Sequence, residues 1–363
     1  MKDTLIKLLN AYGAAGREGN VTDVIAGMVA PHCDEMRTDA LGNLICIKKG
    51  KPEAGSAEGQ ARAFRSEAED GRAQPGTQRS CGTGRKIMVC AHMDHIGFVV
   101  TDADEKGFLR VGSVGGIRKS ASINRRVVFE NGVNGVLSNE LDDFSADDRK
   151  MENLFIDIGA ASRDEALSSV SIGDVAVYAP GAFELLNGVV AAPAMDDRAG
   201  CAVAVEALKA LTDSANEVAF VFSAQEEVGL RGAKAAAYSI DPEIGISIDV
   251  TPSGDTPKGP KTAVKLGAGP CVKVRDSSLV CSPKVVRGLE AAAGRLGIAV
   301  QREVLTMGGN DAAAMQLTRA GVLAGTISIA CRYVHSASEA VSLPDCERAA
   351  ALLVEFLRNP LGE

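Results

Sequence analysis

Hydrophobic and polar positions along this chain fall into blocks with two different periods. Residues 4–11 and 22–30 carry apolar side chains at helical spacing, and a strand is expected at Leu44–Lys48. Four short apolar runs stand apart: Ile87–Ala91 (IMVCA), Val218–Phe222 (VAFVF), Ile244–Ile248 (IGISI) and Gly325–Ala330 (GTISIA). A run with no polar face reads as a strand buried on both faces of a sheet. Helical patterns lie between them. Asp197–Leu211 begins at an Asp cap and sets Ala204, Leu208 and Leu211 on one face. Ser282–Leu296 opens with Ser-Pro and stops at Gly297, the pairing expected of a helix start and a left-handed stop. Strands alternating with helices predict an α/β sheet with helices on both faces.

Two stretches break this pattern. From Gly97 to about Asn187 the segments alternate or run β-branched (GFLRVGSV, RRVVFENG, NLFIDIG, DVAVYAP), with one short helix expected near Arg163–Ser168. This reads as a small β-rich domain, residues 98–187, inserted into an α/β domain formed by residues 1–97 and 188–363. Residues 51–85 are rich in Gly, Ala, Ser, Glu and Arg and almost lack β-branched side chains, so they read as a surface insertion with too little apolar content to offset the entropy of ordering.

Composition narrows the function. The 363 residues, 46% of them hydrophobic and 24% charged, describe an ordinary globular chain with room for two domains. Thirty-nine Lys and Arg against 47 Asp and Glu leave a net charge of −8, which is not the footprint of a nucleic-acid binder. No apolar run approaches the roughly 20 residues that span a bilayer, so no membrane partner is expected. Nine Cys without a C-x-x-C pair read as reduced thiols in a cytoplasmic protein.

Chemistry gathers at the ends of the buried runs, where open α/β sheets place their ligands. After IMVCA comes His92-Met93-Asp94; after VAFVFSAQ come Glu226 and Glu227; after IGISI comes Asp249; after GTISIACRYV comes His335. Asp196-Asp197 opens a helix. Taken singly each has an ordinary reading: a helix cap, a solvated acidic pair, a turn residue, a surface His. Five such segments around two of only four His are a different matter. Imidazole plus carboxylate without thiolate suits zinc, cobalt or manganese, and two His with three carboxylates can hold two divalent ions if one carboxylate bridges them. On a strand His92 and Asp94 share a face, so the Asp94 carboxylate is expected to orient the imidazole. Adjacent Glu226 and Glu227 point apart, leaving one free as a proton shuttle. There is no H-E-x-x-H and no G-x-S-x-G. VGSVGGIRKS (111–120) reads as a hairpin region of the β domain rather than a phosphate loop, and Gly308-Gly309-Asn310-Asp311 either opens a helix capped by Asp311 or lines a cleft.

The segments AHMDHIGF (91–98), LFIDIGA (154–160), AMDDRAG (194–200), QEEVGLRGA (225–233), DVTPSGDTP (249–257), GGNDAA (308–313) and RYVHSASE (332–339) resemble, in order, those of the tetrahedral (TET) aminopeptidases, whose members also carry glutamyl aminopeptidase, deblocking aminopeptidase and endoglucanase names. The resemblance implies an α/β/α catalytic domain of the zinc-peptidase type and an inserted β-barrel-like dimerisation domain. It implies that His92 and Asp249 bind one metal ion, Glu227 and His335 the other, and that Asp196 bridges both. Glu226 would be the general base, with Asp94 beside it in the catalytic set. It further implies peptide substrates and a hollow twelve-subunit tetrahedron built from dimers. His95 stands where the family usually has Glu, Asn310 where Thr is usual, and Cys331 and Ala337 where Pro is common. Two other functions are weighed: a glycoside hydrolase, which needs two free carboxyl groups and is poorly served by a chain without Trp, and a peptide-binding shell without catalysis.

Overall fold

The computed structural model describes residues 1–51, 84–140 and 150–361; nearly all of the expected 51–85 insertion lies outside the described residues. The chain opens with α1 (Lys2–Leu9), α2 (Gly19–Val29), β1 (Glu35–Thr38), β2 (Leu44–Lys48) and β3 (Lys86–His92). The next six strands, β4 (Gly97–Ala103), β5 (Leu109–Val114), β6 (Arg125–Phe129), β7 (Asn134–Asn139), β8 (Leu154–Asp157) and β9 (Val175–Tyr178), are accompanied by the short helices α3 (Lys119–Ser122) and α4 (Arg163–Ser169). The chain then returns through β10 (Phe183–Glu184), β11 (Val189–Ala192), α5 (Met195–Ala210), β12 (Glu217–Ser223), α6 (Arg231–Ile240) and β13 (Ile244–Pro252). It ends with β14 (Cys271–Arg275), α7 (Pro283–Leu296), β15 (Gln301–Val304), α8 (Asp311–Gln316), β16 (Leu323–Arg332), β17 (Glu339–Ser342) and α9 (Leu343–Arg358).

The four apolar runs form the parallel centre of an 11-stranded sheet, in the order β12-β3-β13-β16. Val89, Val221, Ile246, Ile248, Ile327 and Ile329 are buried on both faces, as a strand sandwiched between helices requires. Fully burying a side chain of this size stabilises the fold by roughly 1.5–3 kcal/mol. One face is covered by α5 with α1, α2 and α9, the other by α6 with α8, which makes an α/β/α sandwich. The edges are antiparallel: β2 and β1 on one side, β17, β11 and β10 on the other. No helix among the described residues is long and apolar enough to cross a membrane.

The β-rich stretch closes into a six-stranded antiparallel barrel, β4-β5-β8-β7-β6-β9. Alternate residues point inward, so Phe98, Val100, Leu109, Phe129, Leu137, Ile156 and Tyr178 fill it, with Phe98 and Tyr178 in an edge contact at 5.6 Å between ring centres. Helix α4 sits where a short helix was expected, opened by Ser162, whose Oγ accepts from the Glu165 N–H at 3.3 Å. Gly297 ends α7 at φ +66°, as its sequence position predicts, but Ser282 makes no capping hydrogen bond with its side chain. Helix α8 is capped by Asn310, whose Oδ1 accepts from the Ala312 N–H at 3.0 Å, and not by Asp311, which is already inside the helix.

Arg198, in the first turns of α5, is fully buried and ties the N-terminus to the sheet. Its Nε donates to the Met93 carbonyl at 2.8 Å, Nη1 to Leu8 at 2.7 Å and Ala11 at 3.2 Å, and Nη2 to Gly13 at 3.5 Å. A Cβ at Gly13 would lie 2.5 Å from Nη2, so only glycine lets the chain pass. Arg198→Met, similar in length but without donors, leaves these carbonyls unsatisfied; a destabilisation of at least ~2 kcal/mol is expected in urea unfolding, and an unchanged midpoint would contradict this role.

Candidate metal centre

The C-terminal ends of β3, β12, β13 and β16 converge on one side of the sheet, and the segments that leave them carry the chemistry. His92 is the last residue of β3 and pairs with Ser223, the last of β12. Asp249 lies within β13. His335 sits in the turn after β16 at φ +61°, and Asp196 lies between β11 and the regular part of α5, with a cis peptide bond joining it to Asp197.

The two acids of the Asp196-Asp197 pair divide their work. Asp197 caps α5: its Oδ1 accepts from the Gly200 N–H at 2.9 Å, and its Oδ2 from the His92 N–H at 3.3 Å. Asp196 is left to face the cleft. Its Oδ1 lies 3.0 Å from His92 Nε2 and its Oδ2 lies 3.2 Å from His335 Nε2. Asp249 Oδ1 lies 3.9 Å from the first imidazole, and Glu227 Oε1 lies 3.4 Å from the second. Two groups of potential ligand atoms result, His92–Asp196–Asp249 and Asp196–Glu227–His335, and they share Asp196. Glu226 diverges from its neighbour and places Oε2 3.9 Å from His92 Nε2.

Both imidazoles are oriented by backbone carbonyls. His92 Nδ1 donates to the carbonyl of Asp94 at 2.9 Å, and His335 Nδ1 to that of Gly116 at 2.7 Å, which turns each Nε2 toward an oxygen of Asp196. The expected role of the Asp94 carboxylate is corrected here. It stands 3.7 Å from the imidazole and accepts instead from the N–H groups of Glu226 at 2.9 Å and Glu227 at 3.1 Å. The strand ends at His92, so the alternation of faces on which that expectation rested stops there.

Charge explains what such a site wants. Burial pushes the Asp197, Glu226 and Asp249 carboxyls up, and the carboxylates around them push further in the same direction. Burial raises Asp94 to about 7. Burial would raise Asp196 too, but the two imidazoles hold it well below the usual carboxylate range. His335 is pulled down by burial and more strongly up by Asp196 and Glu227, to about 12. The pocket holds more buried anionic oxygen than its two imidazoles can neutralise, and Glu227 Oε1 has no hydrogen-bond donor among the described residues. An imidazole and carboxylate donor set with this surplus fits divalent cations.

The remaining sequence candidates fall outside the ligand groups. His95 is buried, its Nδ1 without a partner among the described residues, and burial pulls its pKa down to about 3, so it is neutral near pH 7. Asn310 serves the α8 cap and donates from Nδ2 to Asp276 at 3.0 Å. Sequence reasoning missed Gly116 and Glu339. VGSVGGIRKS is not only a hairpin piece: after β5 it carries Gly115-Gly116 onto Glu227 and His335, where a Cβ would meet their side chains at 3.1 and 2.9 Å. A glycine pair in an otherwise β-branched run was the available signal.

A family model described as M42 glutamyl aminopeptidase matches residues 76–352. The chain is 31% identical to a lysyl aminopeptidase of Pyrococcus furiosus over 365 residues, covering 97% of this chain and 95% of that one. Among solved structures it is similar to the aminopeptidase APDkam598 of the archaeon Desulfurococcus kamchatkensis, with a TM-score of 0.86 and 33% identity over 98% of this chain and 94% of that one. It is also similar to the Pyrococcus horikoshii TET1 peptidase, described as able to assemble into a tetrahedron or a large octahedral shell, with a TM-score of 0.79 and 29% identity over 99% of each chain.

Gly116→Val tests the geometry directly. The new side chain must displace the His335 ring, so the affinity of the Asp196–Glu227–His335 group for a divalent ion is expected to fall at least ~10-fold in a chelator competition. Wild-type affinity in a folded variant would show that the Gly116 contact is incidental.

Proposed function

The chain belongs to the M42 glutamyl aminopeptidase family, and from that premise we propose that it removes N-terminal residues from peptides with a dinuclear metal centre and Glu226 as general base. Family membership makes it a peptidase rather than a carbohydrate hydrolase or a passive shell. The observation that carries the finer reading is Asp196, whose two oxygens face two different imidazoles at 3.0 and 3.2 Å. His92 and Asp249 would hold one ion, Glu227 and His335 the other, with Asp196 between them. Zinc, cobalt and manganese all suit these donors.

Two divalent ions held by these residues would supply polarisation of the scissile carbonyl and a water pKa lowered toward 7. The chain's own residues do the rest. Glu226 is free of both ligand groups and lies at their edge, where its carboxylate takes a proton from the attacking water and returns it to the leaving amine. Asp94, gripping the N–H groups of Glu226 and Glu227, fixes the base relative to the ligand beside it. The surplus of carboxylates favours a substrate that presents a free α-ammonium group, which limits cleavage to the N-terminal residue. The barrel, built almost entirely by the inserted residues 98–187, serves as the dimerisation domain of a homo-oligomeric tetrahedral shell. Outside the barrel, at the β10 edge of the large sheet, Leu186, 85% exposed, with Phe183 and Leu185 beside it, offers apolar surface of the kind subunit contacts cover. The eight described cysteines are free thiols, which suits a cytoplasmic protein.

Two outcomes follow on aminoacyl-p-nitroanilide substrates. Chelation is expected to abolish hydrolysis and re-addition of zinc, cobalt or manganese to restore it; activity that survives complete metal removal contradicts the reading. Glu226→Gln is expected to keep its metal content and lose about 10²–10⁴-fold in kcat. A variant with full metal and wild-type turnover removes Glu226 from the proton-transfer role.

A further inference from the structure

We propose that Glu339 is a positioning residue of the metal centre, a buried carboxylate that sets the distance between the backbones of Asp196 and His335 and through them the affinity of the Asp196–Glu227–His335 group for its ion. This rests on the two-ion reading above. Glu339 opens β17 and is 2% exposed. It pairs with Ala192, the last residue of β11, so it stands where the chain leading into Asp196 passes the chain coming from His335. Its Oε2 accepts from the Asp196 N–H at 3.0 Å; its Oε1 accepts from the His335 N–H at 2.6 Å and the Ser336 N–H at 3.4 Å.

Among the described residues the two main donors have no backbone acceptor. Asp196 departs from helical geometry and His335 is at positive φ, so neither N–H is placed to join a helix or a sheet ladder. Buried N–H groups left without acceptors are costly, and two of them here carry proposed ligands that must be held to a fraction of an ångström. A carboxylate suits the task because both of its oxygens only accept, while a Gln amide would turn its NH2 against one of the N–H donors. A residue that merely filled space would not add another buried acid to a pocket already crowded with them. His335 is thus gripped at two points, its N–H by Glu339 and its ring Nδ1 by the Gly116 carbonyl.

The test compares wild type, Glu339→Gln and Glu339→Asp, each stripped of metal and titrated with Zn²⁺ against a chromogenic chelator, with melting temperatures recorded in chelator and in saturating Zn²⁺. Glu339→Asp keeps the charge but is too short to span both N–H groups. Both variants are expected to bind one ion about 10–100-fold more weakly than wild type, the scale for loss of a group that orients ligands. Their melting temperatures in chelator fall modestly, since an N–H group loses its acceptor, and the rise on adding Zn²⁺ shrinks below that of wild type, because weaker binding to the native state stabilises it less. Wild-type affinity in either folded variant overturns the proposal, as does a melting temperature lowered equally with and without Zn²⁺, the mark of a purely scaffolding role. A wild-type protein that binds no Zn²⁺ contradicts the two-ion reading itself and this proposal with it; a wild type that binds two ions beside an unchanged Glu339→Gln contradicts only the role of Glu339.

Discussion

A carboxylate buried between two imidazoles has few ways to be satisfied, and Asp196 is in that position. Each of its oxygens faces one Nε2, and each imidazole is turned toward it by a backbone carbonyl on the far side of the ring. Around this unit stand Glu226, Glu227 and Asp249, so the pocket carries more negative charge than it can neutralise internally. Much of the surrounding structure is occupied with holding these groups in place against that repulsion: Asp197 caps α5 so that Asp196 need not, Asp94 anchors the two glutamates, and Glu339 holds the Asp196 and His335 backbones.

The supports come from distant parts of the chain. The parallel strands bring His92, Asp249 and the Glu226-Glu227 turn to one edge of the sheet. Helix α5 brings Asp196, and the β16–β17 connection brings His335. The barrel adds the last support through Gly115-Gly116, whose lack of side chains lets its backbone reach both Glu227 and His335. Arg198 joins the same arrangement to the N-terminal helix by donating to carbonyls on both sides. A disturbance in the barrel loop is therefore transmitted to a proposed ligand without passing through the sheet.

Much of this could be read from the chain because it follows local rules. A strand buried on both faces has no polar positions, which is why IMVCA, VAFVF, IGISI and GTISIA stood out and why the polar residues just beyond them marked the site edge. His92 and His335 were conspicuous because His is scarce here. What could not be read depends on contacts between residues far apart in sequence. Adjacent Asp196 and Asp197 are chemically identical until the helix start is placed, and only then does one become a cap. Asp94 was assigned to the imidazole by strand alternation, which the chain abandons at His92. Asn310 and Asp311 are both good caps, and the register of α8 decided between them. Glu339 looked like any acid at a strand start, since the Asp196 N–H that it links to the nearby His335 N–H lies 143 positions away in the sequence.

The proposed chemistry depends on one carboxylate, that of Asp196, being shared between two ion sites. Crystals grown with Zn²⁺ and measured on both sides of the zinc absorption edge address it most directly. Two anomalous peaks per chain are expected, one ringed by His92, Asp196 and Asp249, the other by Asp196, Glu227 and His335, with an oxygen of Asp196 against each. A single peak, or two peaks of which one does not touch Asp196, would contradict it.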